Sequence, residues 1–156
     1  MTDASPARVV ADADVLAADL FVDGDARAAL DHVRAHSWLT LVASDPLLDD
    51  AEAVITDLAD ADLAADWRER VEPLREPVDH PDGDHPALAL ALYGGAMHVL
   101  TLDDDLQTAA AGAAIRDRVE TSVKDPTAFA ALFDPESLYG VVADGEYSGP
   151  DRDPRA

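Results

Sequence analysis

Along the chain, short apolar runs alternate with longer stretches in which apolar residues recur every three or four positions. Residues 8–16 contain the run Val9-Val10-Ala11 and read as a buried strand leading into a turn or helix start. Residues 25–36 set Ala26, Ala29, Leu30 and Val33 at helical spacing, and Trp38 to Val42 is a short β-leaning run. Ser44 is an N-cap candidate with Pro46 in the first turn behind it. The helix that follows aligns Leu47, Leu48, Ala51, Val54, Ile55 and Leu58 on one face. A second helix over 61–73 turns Leu63, Trp67, Val71 and Leu74 inward. Residues 77–85 are a polar loop rich in turn formers; Asp84 can cap a helix over 85–93, and Gly94-Gly95 stops it. Met97 to Thr101 reads as a strand, Asp103 to Ala114 as an Ala-rich helix and Val119 to Val123 as a weaker strand. Asp125-Pro126 and Asp134-Pro135 each start a helix. This alternation predicts one three-layer α/β/α domain over residues 1–143 with a central, mainly parallel sheet. The Gly, Pro, Asp and Arg of residues 144–156 predict a disordered acidic tail.

Composition sharpens this picture in three places. A length of 156 residues with 48% hydrophobic content suits one domain with a substantial core, and with aromatics at 5% that core must be Ala, Val and Leu. The absence of cysteine excludes disulfides and thiolate metal sites. The opening Met-Thr-Asp-Ala-Ser-Pro has no basic region or apolar region of a signal peptide, and no apolar run approaches the roughly 20 residues of a membrane span. A soluble, cytoplasmic protein without a membrane partner is the expectation.

The net charge of −22 comes from 33 acidic residues against 11 basic ones, with Lys124 the sole lysine. At ordinary ionic strength such a surface repels itself and opposes a nucleic-acid partner. An acidic, lysine-poor surface around a small-residue core resembles proteins of salt-accumulating halophiles. In roughly molar salt the Debye length is about 3 Å, and the repulsion is largely screened. On that reading the charge is a solubility adaptation and says little about partners.

Four aspartates stand where a parallel sheet would gather them. Asp12 follows the first apolar run, Asp50 lies in Ser44-Asp45-Pro46-Leu47-Leu48-Asp49-Asp50, Asp84 precedes an Ala/Leu helix, and Asp103 ends His98-Val99-Leu100-Thr101-Leu102-Asp103. Sites in open α/β sheets form beyond the carboxyl ends of strands. Carboxylates packed together need protons or a cation, and hard oxygen ligands favour Mg²⁺ or Mn²⁺. A metal-dependent hydrolase acting on phosphodiesters is the sharpest reading. Plainer roles stand beside it: Asp84 as a helix cap, Asp103 to Asp105 as a solvated first turn, and Asp12 as a turn residue. Asp49 and Asp50 point about 100° apart on a helix, so at most one faces a pocket well. His80 and His85 are not an i, i+4 pair and have no third ligand nearby, so a solvated loop is favoured over zinc, with His85 at most on the pocket rim. His98 reads as a core or edge histidine, and Trp38 and Trp67 as core or interface residues. No Ser-His-Asp or Cys-His arrangement and no Gly-rich phosphate loop is present.

The order of these segments resembles the PIN-domain ribonuclease family over about residues 8–133. Val-Val-Ala-Asp-Ala-Asp-Val-Leu is similar to the family's first strand and its Asp-Thr-Asn-Val-Leu type motif, with Ala13 in place of Thr or Ser and Asp14 in place of Asn. Ser44 to Asp50 is similar to a Ser-x-x-Leu-Leu-x-Glu helix, with Asp50 in place of Glu. Asp84, the helix Leu88 to Leu92, Gly94-Gly95 and Thr101-Leu102-Asp103, with Asp105 as an extra acid, form the closest match. Val123-Lys124-Asp125-Pro126-Thr127-Ala128-Phe129 resembles the last strand and its Pro-x-x-Phe helix. The resemblance implies a PIN-like fold and an Mg²⁺- or Mn²⁺-dependent endoribonuclease. Asp12, Asp84, Asp103 and Asp105 would hold metal, with Asp50 and Thr101 completing the catalytic set. RNA would be the substrate, with a protein partner such as an antitoxin, or a homodimer, as further expectations. Family members include toxins of toxin–antitoxin pairs and RNA-processing nucleases. The departures at Ala13 and Asp50 motivate the alternative, a catalytically inactive PIN-like interaction module. A further alternative is an acidic halophile domain without a metal site.

Overall fold

A computed structural model describes residues 3–81, 85–104, 106, 122–143 and 145–154. Strand β1 (Ser5–Ala11) is followed by helices α1 (Ala13–Phe21) and α2 (Asp25–Ala35) and strand β2 (Thr40–Ala43). Helices α3 (Asp45–Leu58) and α4 (Ala61–Val71) lead to strand β3 (Arg75–Pro77), and α5 (Pro86–Gly94) leads to β4 (Ala96–Leu100). Strand β5 (Ser122–Lys124) and helices α6 (Pro126–Leu132) and α7 (Pro135–Val142) complete the described chain. All strand pairs are parallel, in the order β3-β2-β1-β4-β5. This is the three-layer α/β/α architecture expected from the alternation of elements. Among the described residues no helix is long and apolar enough to cross a membrane.

The sheet's two faces are visible on β2. Leu41 lines a space with Leu16 of α1, Leu30 and Val33 of α2 and Trp67 and Val71 of α4. Its neighbour Val42 points the other way, where a Cβ added to Gly94 of α5 would lie 2.6 Å from Val42 Cγ1. Gly94 is thus the residue that lets α5 lie close on the sheet, and Gly95, at φ 67, ends the helix in the left-handed region. The core is built from Ala, Val and Leu, with Phe129 the largest side chain fully enclosed.

Most boundaries follow from local chemistry. Ser44 Oγ accepts from Leu47 N, Asp60 from Leu63 N, Asp125 from Ala128 N and Asp134 from Ser137 N, each capping a helix. Four differences from the expected elements have physical reasons. The first strand stops at Ala11 because Asp12 caps α1, so residues 13–16 are helical. Strand β3 is only three residues long, charged and at the sheet edge, which hides it from a hydrophobic pattern. The cap of α5 is His85, whose Nδ1 accepts from Ala87 N at 3.2 Å, where Asp84 had been expected. Leu58, placed inward by spacing, is 67% exposed in the last turn of α3. The expected helix beyond Asp103 falls mainly on residues 107–114, outside the described residues.

The tail also differs from its composition. Asp151 N donates to Ala35 O, the Asp151 carboxylate accepts from Ser37 N, and Arg152 donates to Val33 O and His36 O. Tyr147 Oη lies 2.7 Å from His36 Nε2. These bonds complete the C-terminal carbonyls of α2, so residues 145–154 belong to the fold.

Candidate functional site

The chain steps from β1 outward through β2 to β3, then crosses back to β4 and outward again to β5. The switch point lies between β1 and β4, and the crevice beyond their carboxyl ends is where open α/β sheets bind ligands. Ala11 and Leu100 are register partners there, so Asp12 and Thr101 are the first residues past two adjacent strand ends. Asp12 N donates to Leu100 O at 2.8 Å, which ties the two exits together.

Asp12 is 6% exposed and Thr101 is fully enclosed. Thr101 Oγ1 donates to Asp12 Oδ2 at 2.9 Å and accepts from Asp103 N at 3.1 Å. The other Asp12 oxygen accepts from Ala13 N at 2.8 Å. One hydroxyl therefore fixes the Asp12 carboxylate and the backbone of Asp103 together. His85 Nε2 stands 3.7 Å from Asp12 Oδ2, at the rim where the loop from β3 enters α5.

Asp14, not singled out in the sequence, belongs to this cluster. Its Oδ2 accepts from Leu102 N at 3.2 Å, while its Oδ1 is buried with no hydrogen-bond partner among the described residues. Burial, then the Asp12 carboxylate, and more weakly Asp103, push the Asp14 carboxyl above the ordinary range, against the backbone N–H groups of Leu102 and Val15. The readable signal was the spacing itself. An acid at the N-cap and another two residues later place two carboxylates at one helix start, directly after a buried strand. Among the described residues, no Arg or Lys lies within ion-pair distance of Asp12 or Asp14.

The expected set is gathered only in part. Asp12, Thr101 and Asp103 come together as expected; Asp103 is exposed and its Oδ1 also accepts from Leu106 N at 3.3 Å. Asp50 is exposed on α3, and no hydrogen bond or ion pair connects it to the cluster. Its rival Asp49 is engaged elsewhere, 3.0 Å from Arg68. Asp84 and Asp105 lie outside the described residues. Among the described residues, no three His, Asp or Glu side chains already stand in a metal-holding arrangement. The 77–85 loop is anchored along the same sheet edge: His80 Nε2 lies 2.8 Å from Ser44 Oγ at the end of β2.

No curated protein and no solved structure matches the chain. A family model described as a family of unknown function, DUF7384, matches residues 3–155, a span that takes in the acidic strand ends and the docked tail, and the chain belongs to that family.

Proposed function

We propose that the protein is an Mg²⁺- or Mn²⁺-dependent nuclease acting on RNA, with its centre at the carboxyl ends of β1 and β4. The observation that carries this reading is Asp14 Oδ1, a buried carboxylate oxygen with no partner among the described residues, beside the Asp12 carboxylate. A buried, unsatisfied charge is costly unless a proton or cation satisfies it. The donors are all hard oxygens, which suits Mg²⁺ or Mn²⁺. Asp12, Asp14 and Asp103 would hold the ion, with Asp84 and Asp105 as the further ligands implied by the resemblance to PIN-domain ribonucleases. When bound, such an ion supplies charge neutralisation for a phosphodiester and acidifies water for attack on it. Thr101 is a positioning residue: its hydroxyl orients Asp12 and holds the Asp103 backbone. RNA as the substrate class rests on the same family resemblance, and screening by concentrated salt would remove the repulsion from a chain of charge −22.

A second reading, a catalytically silent PIN-like interaction module, is favoured by the exposed position of Asp50, away from the other acids. Calorimetry with Mn²⁺ in concentrated KCl, comparing the native chain with Asp103→Asn, separates the two. One or two saturable sites that weaken or vanish in the variant, followed by Mn²⁺-dependent cleavage of RNA, are expected for the nuclease. Equal, weak and unsaturable uptake by both proteins would sink it and leave the interaction module.

A further inference from the structure

On the α2/α6 face of the sheet, the chain's sole lysine meets an unsatisfied histidine at one cavity. A space of about 290 Å³ opens between β4, β5, α6 and α7, with Phe129, Phe133, Leu138 and Val141 among its walls and His98 and Lys124 at its polar end. Among the described residues His98 Nδ1 is buried without a hydrogen-bond partner, and the ring stands edge-on to Phe129 at 5.5 Å between centroids. Lys124 is half-buried, and among the described residues no carboxylate lies within ion-pair distance of it. The carboxylate that does line the cavity, Asp134, is committed to capping α7, accepting from Ser137 N at 3.3 Å and Ser137 Oγ at 2.8 Å.

We propose that this cavity binds a small apolar molecule carrying one carboxylate, its acid group held by Lys124 Nζ and its body against the aromatic wall beside the His98 ring. The chemistry of the walls selects this class. A phosphate or other polyanion needs several converging donors, whereas a single ammonium beside an apolar space matches a single carboxylate. Burial and the neighbouring Lys124 lower the His98 pKa to about 4, so the ring is neutral at physiological pH and Lys124 is the charged group of the lining that attracts an anion. Burial also lowers the Lys124 pKa, and an anionic ligand would restore the lost solvation of the ammonium. The proposal does not depend on the acidic centre, because no residue that lines the cavity belongs to it.

The test uses 3-phenylpropanoate as the probe, with 3-phenylpropan-1-ol as its neutral counterpart, titrated into the full chain in KCl. Calorimetry gives the affinity, and the ring nitrogen resonances of His98 report where the probe sits. Saturable one-to-one binding that moves the His98 resonances is expected, with affinity about tenfold weaker for the alcohol and for Lys124→Met, the usual scale for a charge-assisted hydrogen bond. Lys124→Met keeps the aliphatic stem, and an unchanged unfolding midpoint would show that the loss is not one of folding. Three outcomes would overturn the proposal: unmoved His98 resonances at saturating probe, equal binding of acid and alcohol, or equal binding by native and Lys124→Met proteins. A concentration-dependent dimer that excludes the probe would overturn it too, in favour of a second copy covering Leu132 and Val141, which are 73% and 76% exposed.

Discussion

Two acidic regions of this chain settle their charge in opposite ways. Along α3 and α4, Arg68 bonds Asp45, Asp49, Glu52 and Glu72, and Arg75 bonds Asp45 and Glu72. The arginines hold the Asp45 and Glu72 carboxyls below their ordinary range. At the ends of β1 and β4, Asp12 and Asp14 have a hydroxyl and backbone N–H groups but no Arg or Lys among the described residues, and Asp14 is pushed the other way. Two arginines thus serve exposed carboxylates on α3 and α4, whereas among the described residues none reaches the enclosed Asp12 or the half-buried Asp14.

The comparison breaks most sharply at Asp12. Asn is as good an N-cap as Asp and can still accept from Thr101 Oγ1, so Asp12→Asn should cost less than about 1 kcal/mol of stability. If the proposed metal centre is correct, Mn²⁺-dependent RNA cleavage should fall by more than about 100-fold, the consequence of losing several kcal/mol of transition-state stabilisation. Cleavage rates and urea unfolding midpoints on the same preparations check both halves. Thr101→Val comes next. It removes the hydroxyl that joins Asp12 to Asp103, should weaken Mn²⁺ binding by about tenfold as an outer partner of the ligands, and should cost about 1–2 kcal/mol of stability. Thr101→Ser should restore most of the Mn²⁺ affinity in calorimetry, an outcome that a merely steric role for Thr101 would not give.

How much of this was legible in the sequence depended on whether a signal was local. Helix starts at Ser44, Asp125 and Asp134 were readable because a cap and a proline lie within three residues of each other. That Asp12 and Asp103 follow apolar runs was readable locally, whereas the adjacency of β1 and β4 that puts Thr101 against Asp12 is a property of the sheet order. Asp14 was overlooked because its importance arises from burial and from Leu102 N, which lies 88 residues away in the chain. Asp50 was placed in the centre by analogy with a motif, but helix α3 turns it outward, while Asp49 meets Arg68 from α4. The tail failed for the opposite reason: its composition is that of a loop, yet its Asp and Arg find the open end of α2.

Acid titration should expose the contrast without any metal. Asp14 binds its proton more tightly in the folded state than at the unfolded value of about 3.9, so folding takes up protons there, and stability falls as pH rises through the raised pKa. Asp45 has the opposite sign: its folded pKa is depressed, and its contribution is lost as pH falls below the ordinary range. Asp14→Asn keeps an acceptor for Leu102 N while removing the charge. Above the raised pKa and in the presence of chelator it should stabilise the protein by about 0.5 kcal/mol, allowing for solvent screening of a half-exposed group. That advantage should fade as pH drops through about 4 and vanish below about pH 3, where Asp14 is protonated in both states. Adding Mn²⁺ should reverse the order, because only the native chain then gains binding free energy. Urea midpoints across this pH range, with and without Mn²⁺, check the sign; an unchanged order on adding the metal would remove Asp14 from the ligand set.

The smallest effect is expected at the satisfied region, and it serves as the control. Arg68 reaches four carboxylates with a planar guanidinium, an arrangement that a single ammonium cannot copy. Its partners lie largely in solvent, so Arg68→Met should cost only about 1 kcal/mol at low salt and less in molar KCl, where exposed pairs are screened. Arg68→Lys should recover part of that loss at low salt and be indistinguishable from Met at high salt. Both variants should bind Mn²⁺ as the native chain does, because the freed acids on α3 and α4 stay hydrated and can revert to ordinary surface charge. Calorimetry in concentrated KCl would detect a new saturable site in Arg68→Met. Such a site would mean that exposed carboxylates suffice to hold the ion, and the burial of Asp12 and Asp14 would no longer set the strand ends apart.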